Sequence, residues 1–516
     1  MPSCSTKFSI PTLLLTLFAC LAPATVLAGS VDETINAWMA PVSKAVASVV
    51  FYSVPLLGTQ LPLVVVWLVL AAVFFTFYFK FLNISGFKHA IKIARGDYAD
   101  KSHPGEVTHF QALATAVSGT VGIGNIGGVA VAISLGGPGA TFWMVLAGLL
   151  GMSTKFIECT LGTIYRNHNA DGSVSGGPMY YLSKGFAEKG MAGVGRFLGG
   201  FYALGIVFGC LGIGNMFQSN QAYHQFVNVT GGDSSWFADK GWVFGILLAA
   251  AVGLVIIGGI KSIARVSARV VPFMAIFYCV GCLVIIAMNY EALPFAFNAI
   301  IQGAFSPEGM GGGLVGVMII GFQRAVFSNE AGIGSAPIAH AAVQTNEPVT
   351  EGYVALLEPF IDTVVICSMT ALVVITTFYY QPDFNAGLDG IQMTSAAFER
   401  NISWSPYLIA IAGLLFAFST MLAWAYYGLK GWTYLMGEKG HSELLFKLMF
   451  CTFVVIGCSI QLTSILDISD ALVFLICVPN IIGLYVLAPR VKQELHKYQQ
   501  QIKAAKSGGD VSTETV

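Results

Sequence analysis

Polar groups inside long apolar runs are where a bilayer-spanning chain can do chemistry. Thr115 to Leu135 is apolar and long enough to cross a bilayer. Yet its centre, Gly119-Thr120-Val121-Gly122-Ile123-Gly124-Asn125-Ile126-Gly127-Gly128, is poor helix. Each glycine costs roughly 1 kcal/mol against alanine in a helix interior, so the span is expected to unwind there. Backbone left unpaired at membrane depth is tolerated only where it is buried in protein or lines a cavity. A second run, Leu314 to Ala342, is interrupted by Phe327-Ser328-Asn329-Glu330-Ala331-Gly332-Ile333-Gly334-Ser335 and then Pro337. Two interrupted spans at matching places in two halves point to the substrate and ion site of a secondary transporter. Glycine-packed intact helices are the simpler alternative; the polar residues inside both breaks argue against it.

The elements that must hold these breaks follow from composition. The chain has 516 residues, 55% hydrophobic and only 10% charged, with a mean hydropathy of +0.73. Soluble domains carry about 25% charged residues, so an integral membrane protein in contact with the lipid bilayer is expected. A net charge of −1 gives no sign of a nucleic-acid partner. The ten cysteines are scattered, with no CxxC pair or Cys/His cluster, so neither a disulfide framework nor a metal centre is indicated.

Residues 1–29 read as a signal peptide, with Lys7 ahead of an apolar core and Val26-Leu27-Ala28 as cleavage pattern. An uncleaved extra span is the rival reading. Ser30-Val31-Asp32-Glu33 is a capping box. It opens an amphipathic helix over 30–52, expected to lie on the periplasmic surface. Apolar spans follow at 57–80, 110–135, 139–165, 197–221, 241–260, 265–288, 313–342, 353–378, 405–429, 443–461 and 466–489, about eleven in all. Lys88, Lys92, Arg95, Arg166, Lys184, Lys261, Arg265, Lys430 and Arg490 fall in alternate loops, which places those loops in the cytoplasm. The loop 343–352, with Glu347 and Glu351, is the exception. An extra N-terminal span (55–83) then leaves five spans in 108–288 and five in 312–489, each five starting with an interrupted one. An odd number per repeat inverts the second repeat. The tail, 490–516, is polar and expected to be disordered. The predicted fold class is an all-α polytopic membrane protein of 5+5 inverted repeats.

Three motifs carry a resemblance: Gly136-Gly137-Pro138-Gly139-Ala140-Thr141-Phe142-Trp143-Met144, Ser175-Gly176-Gly177-Pro178-Met179-Tyr180-Tyr181, and Asn329-Glu330-Ala331-Gly332-Ile333-Gly334-Ser335-Ala336-Pro337. From about 55 to 490 the chain resembles the alanine or glycine:cation symporter family. Its signature prefers an aliphatic residue at Thr141 and Trp at Val145. The resemblance implies the leucine-transporter (LeuT) fold, and Val121-Gly122-Ile123-Gly124-Asn125 is similar to that fold's first broken helix. Gly-Ile-Gly-Asn occurs again at 212–215, so the tetrapeptide alone is weak.

The resemblance further implies symport of alanine or glycine with Na+ as coupling ion and no organic cofactor, in the inner membrane of the cell. An amino-acid carboxylate needs donors, and Ile123 and Gly124 N–H at a half-helix terminus can supply them. Asn125 can donate and accept, or satisfy the broken backbone. The fold's retained sodium site implies Ser118 and Val121 carbonyls with Ser419 and Thr420 hydroxyls. Sodium prefers hard oxygen ligands of this kind, although both hydroxyls could instead bond back to their own helix. Trp424 follows that pair by about one turn and so faces the same cavity. Gln218 and Gln323 are polar candidates within reach of the site, and Phe327 could close over a ligand. The intramembrane charges are Lys155, Glu158, Arg324, Glu330, Glu358, Asp362, Asp467 and Asp470. Lys155 with Glu158, and Arg324 with Glu358 and Asp362, are candidate structural pairs, with gating or proton coupling as the rival role for these charges. Rival functions are a proton-coupled or broader carrier for serine or glutamine, a channel, or a membrane enzyme. No acidic filter ring, H-E-x-x-H or G-x-S-x-G motif supports the last two.

The loop charges generate a test. A reporter active only in the periplasm should be silent when fused to the C-terminal tail. Activity there would reverse the whole orientation.

Overall fold

The computed structural model describes residues 41, 44–56, 59–99, 102–170, 172–306, 313–380, 390–438, 440–459 and 463–506. The expected signal peptide and the start of the amphipathic helix lie outside them, as do residues 507–516 and the side chains of Asp467 and Asp470. Residues Ser53–Leu56 (β1) and Thr59–Pro62 (β2) form an antiparallel hairpin. The first span therefore begins later than expected, at α1 (Leu63–Tyr78). Pro55 and Pro62 explain the delay, because proline favours turns and edge strands over helix.

The first half comprises α2 (Phe87–Arg95), α3 (His109–Thr120), α4 (Val129–Gly136), α5 (Ala140–Ile164), α6 (Pro178–Glu188), α7 (Ala192–Leu211), α8 (Phe217–Val229), α9 (Gly241–Ile256) and α10 (Gly259–Met288). The second half follows a connecting α11 (Leu293–Phe305). It comprises α12 (Gly313–Asn329), α13 (Ala336–His340), α14 (Pro348–Tyr379), α15 (Gly390–Asn401), α16 (Ser405–Met436), α17 (Gly440–Ser459) and α18 (Thr463–Lys506). Among the described residues seven helices are long and apolar enough to span a bilayer, or eight with the bent pair α3 and α4. The shorter apolar helices α1, α9 and α12 occupy the remaining expected span positions.

The broken helices are the interior. Ala112 to Thr120 on α3 and all of α13 are buried, wrapped by α5, α10, α14 and α16. On the outer face, α9 and α10 leave Leu247, Leu254, Phe273 and Ile276 exposed, as lipid contact requires.

Two departures have local causes. The last helix does not stop at 489 but continues through Lys506, so residues 490–506 are not the disordered tail expected. Val491, Leu495 and Tyr498 fall on one helical face and are buried. Tyr498 Oη lies 2.8 Å from His89 Nε2 on α2. The acidic exception at 343–352 is also explained. Glu351 is no loop charge; it sits inside α14, fully buried.

Gly352 shows how tightly α14 meets α5. A Cβ there would lie 2.0 Å from Thr160 Oγ1 and 2.8 Å from the Phe156 carbonyl. Gly352→Val should destabilise the protein by about 1–3 kcal/mol or more through overpacking. Thermal melting of the detergent-solubilised variant checks this, and an unchanged melt would show that the contact yields.

Candidate functional site

Helix α3 starts with a reciprocal capping box between Thr108 and Gln111 and ends at Val121, whose backbone is extended. The chain then bends by 53° before α4. Through the bend, side chains replace the lost helical partners. Asn125 Oδ1 accepts from Gly122 N–H at 2.8 Å, and Gln218 Oε1 accepts from Ile123 N–H at 3.3 Å. Gly122 is the position that needs glycine, since a Cβ would meet Thr420 Oγ1 at 2.7 Å. At Gly124 a Cβ would make only ordinary contact with the Phe327 ring, at 3.6 Å. The segment Gly124–Gly128 is a π-helical turn, and so is Gly212–Met216, the second copy of the tetrapeptide. There Asn215 donates to the Phe450 carbonyl at 2.8 Å.

The other end of Asn125 reaches a carboxylate. Its Nδ2 donates to Asp362 Oδ1 at 2.6 Å and to Ser328 Oγ at 3.1 Å. Ser328 and Thr363 donate to Asp362 Oδ2 at 2.9 and 2.7 Å. Thr370 Oγ1 donates to the Asn125 carbonyl at 2.8 Å and contacts Tyr278 Oη at 2.7 Å. Asn125, Ser328, Asp362, Thr363 and Thr370 are all buried. This knot ties the first break to α12 and α14. Sequence reasoning assigned Asp362 to Arg324 and did not place Ser328 in the site. Only the register of α14 against α3, which the sequence does not display, brings them to Asn125.

In the second break, Glu330, Gly332 and Gly334 take positive φ. Ser335 Oγ donates to Glu330 Oε2, and Trp424 Nε1 donates to Glu330 Oε1 at 3.2 Å. Trp424 also packs on Gly214, where a Cβ would lie 2.2 Å from its ring. The indole is thus wedged between helices rather than bordering open space. Phe327 meets Phe217 edge-on, ring centroids 6.2 Å apart. Gln323 is half-buried one turn before Phe327.

Of the expected ion ligands, Thr420 and Val121 are together, Thr420 Oγ1 lying 3.5 Å from the Val121 carbonyl. Ser419 Oγ bonds back to Phe416 O at 3.0 Å. Ser118 Oγ bonds back to Thr115 O at 2.8 Å and accepts from Ser267 Oγ at 3.3 Å. The expected pairing of Lys155 with Glu158 is replaced. Lys155 Nζ binds Glu358 Oε1 at 2.8 Å, and Glu158 Oε1 accepts from Asn480 Nδ2 at 2.6 Å.

Towards the basic loops the assembly is closed by Arg166. Its guanidinium donates to the carbonyls of Pro104, Ala341, Val343 and Thr345. It thereby clasps the segment before α3 to the segment after α13. Burial lowers its pKa to about 10, which still leaves it charged at neutral pH.

A model of the sodium:alanine symporter family matches residues 44–511. The sodium/alanine symporter AgcS of Methanococcus maripaludis is 38% identical, over 85% of this chain and 94% of its own. The probable sodium/glutamine symporter GlnT of Bacillus subtilis is 33% identical, over 86% of this chain and 89% of its own. Among solved structures, MhsT in complex with L-phenylalanine superposes with a TM-score of 0.54 at 13% identity, covering 74% of this chain and 89% of that one. The architecture is therefore the LeuT-like fold. With its buried, mutually bonded breaks and its apolar helices, the chain is a multi-pass membrane transporter, not an enzyme, and belongs to the sodium:alanine symporter family.

Proposed function

We propose that the protein imports small neutral amino acids, alanine or glycine, by symport with Na+ across the inner membrane, its C-terminus in the cytoplasm. The observation that carries this is the meeting of the Val121 carbonyl with the Thr420 hydroxyl at the end of α3. A carbonyl freed by unwinding and a hydroxyl are hard oxygen donors. The Ser118 carbonyl and Ser419 complete the proposed ligand set. Asp362, one hydrogen bond from Asn125, is a buried carboxyl group beside the same break. The substrate carboxylate is assigned to the N–H groups of Ile123 and Gly124, with Asn125, Gln218 and Gln323 as polar partners. Gln218 already holds Ile123 N–H, so substrate must take over that bond. Phe327 is the apolar wall and lies close enough to Gly124 to favour a short side chain; Trp424 joins it only if substrate displaces the indole from its seat on Gly214. The names of the relatives, a sodium/alanine symporter and a probable sodium/glutamine symporter, support an amino acid and sodium as the pair.

Ion and substrate would hold the same unwound backbone, Val121 to Gly124. Their binding is then linked, and linkage is reciprocal, typically about 1–3 kcal/mol. Sodium should raise alanine affinity, and alanine should raise sodium affinity by the same factor. Replacing Ser419 and Thr420 together by Ala should remove the sodium effect before it removes residual alanine binding. Proteoliposome uptake, with sodium and proton gradients set independently across an amino-acid panel, is the measurement. Full uptake on a proton gradient alone, insensitive to the double replacement, would sink the sodium reading.

Asn125→Ala should cost about 1.5–3 kcal/mol of alanine binding, the scale of a hydrogen bond to a charged group. Calorimetric titration of the purified variant reads it. Wild-type affinity in a normally folded variant would remove Asn125 from the site.

A further inference from the structure

The inner ends of the two broken helices meet at buried ionisable groups that the transport reading does not use. His109 begins α3 and His340 ends α13. Glu351 of α14 lies between them. Its Oε2 is 2.5 Å from His109 Nδ1, and its Oε1 is 2.6 Å from His340 Nδ1. Two turns further along α14, Glu358 Oε1 binds Lys155 Nζ at 2.8 Å. Glu358 Oε2 faces His340 Nε2 at 3.7 Å. All five side chains are buried. The other titratable groups around them include Glu158 and Cys159 on α5, Asp362 on α14, Tyr427 on α16, Glu330 in the second break, and Arg166. Asp362 is held by Asn125, Ser328 and Thr363. Glu158 is held by Asn480, Glu330 by Ser335 and Trp424, and Arg166 by backbone carbonyls.

The geometry fixes the protons. An ionised carboxylate only accepts, so a ring nitrogen 2.6 Å from it shares a hydrogen with it. The Nδ1 of His340 is thus satisfied by Glu351. Its Nε2 and the opposing Glu358 Oε2 have no hydrogen-bond partner among the described residues. A bare Nε2 would point a lone pair at a carboxylate oxygen and leave both orphaned. A proton on Nε2 turns the same approach into an ion pair. Charge agrees. With both His109 and His340 neutral, Lys155, Glu351 and Glu358 sum to one uncompensated buried negative charge, which is strongly unfavourable. Of the two rings, only His340 turns an unpartnered nitrogen towards a carboxylate oxygen that also lacks a partner among the described residues. One further proton makes the set neutral. The count is the same whichever side of the 2.6 Å Glu351–His340 contact the shared hydrogen occupies.

We propose that the inner ends of the broken helices bind one proton, on His340 Nε2 towards Glu358, while they are packed together. The proton passes from Nε2 to water when those ends separate and solvent reaches the imidazole. It is a resident of the closed inner gate and lies apart from the Val121–Thr420 oxygens.

The test uses full-length protein carrying 15N-histidine, in lipid nanodiscs without substrate or sodium, so it stands or falls separately from the sodium–alanine reading. The His340 ring signals are assigned by their loss in His340→Gln. A protonated Nε2, with Nδ1 protonated or sharing its hydrogen, should persist at about pH 8, where a free histidine near 6.5 is neutral. Glu358→Gln should weaken proton binding at least about tenfold, one pH unit. Should His340→Gln fail to fold, the Glu358→Gln difference spectrum identifies the same ring. The wild type gives a second readout: lowering internal pH from about 8 to about 6 should slow inward release of labelled alanine in counterflow severalfold. A bare Nε2 at neutral pH or a neutral ring with a free Nδ1 overturns the proposal, as does pH-indifferent release from protein shown to exchange alanine.

Discussion

A chain that unwinds inside a bilayer must satisfy its own backbone, and here that task falls on Asn125. One end of its amide accepts from Gly122 N–H at 2.8 Å; the other donates to Asp362 at 2.6 Å. Leaving a buried amide unpaired costs several kcal/mol in an apolar medium, so the break exists only where these partners are in place. The partners come from α12 and α14, and the break is therefore stable only within the assembled bundle. Thr370 on the Asn125 carbonyl and Thr394 on the Ile126 carbonyl, both at 2.8 Å, extend the same rule through the following turn. The first break is a polar crossing braced by partners on three other helices, α12, α14 and α15.

The second break is satisfied differently. Glu330, Gly332 and Gly334 reverse the backbone through positive φ, and Ser335 and Trp424 take up the Glu330 carboxylate. Gly332 and Gly334 are packed against Leu68 and Pro178, at 2.5 and 2.6 Å from where a Cβ would stand. Positive φ and close approach both demand glycine there. One break is thus braced by side-chain hydrogen bonds, the other by backbone conformation and packing. That asymmetry suits a site in which one half-helix pair holds ligand while the other transmits movement.

Much of this was legible in the chain. The glycine content of 119–128 marks the first unwinding, and the polar insert at 327–335 marks the second, because neither can persist as helix in lipid without a reason. The spacing of apolar runs gives the repeats. What the sequence conceals is register. Asp362 is visible as a charge in an apolar run, but nothing local says that it reaches Asn125 rather than Arg324. Lys155 and Glu158 have the spacing of a helical pair, yet Lys155 binds Glu358 while Glu158, equally buried, is taken by Asn480 from another helix. Val491, Leu495 and Tyr498 carry a helical stripe beyond 489, overlooked because the charges among them read as a solvated tail. Trp424 was expected to line open space from its place one turn beyond Thr420. The small residue it fills against, Gly214, lies on a different helix and has no sequence signature.

The two kinds of break also decide how movement can be shared. Arg166 joins the chain before α3 to the chain after α13, and Glu351 joins His109 to His340. The start of α3 and the end of α13 are thereby fastened to each other as well as to the scaffold. If they move, they must move together or exchange all of these bonds for water. Backbone carbonyls exchange readily with water, since they are neutral and their solvation is easily replaced. The ionised groups do not, because separating Glu351 from its histidines inside the bundle would strand a buried charge. Separation of these helix ends must therefore bring water to Glu351 before, or as, its partners leave.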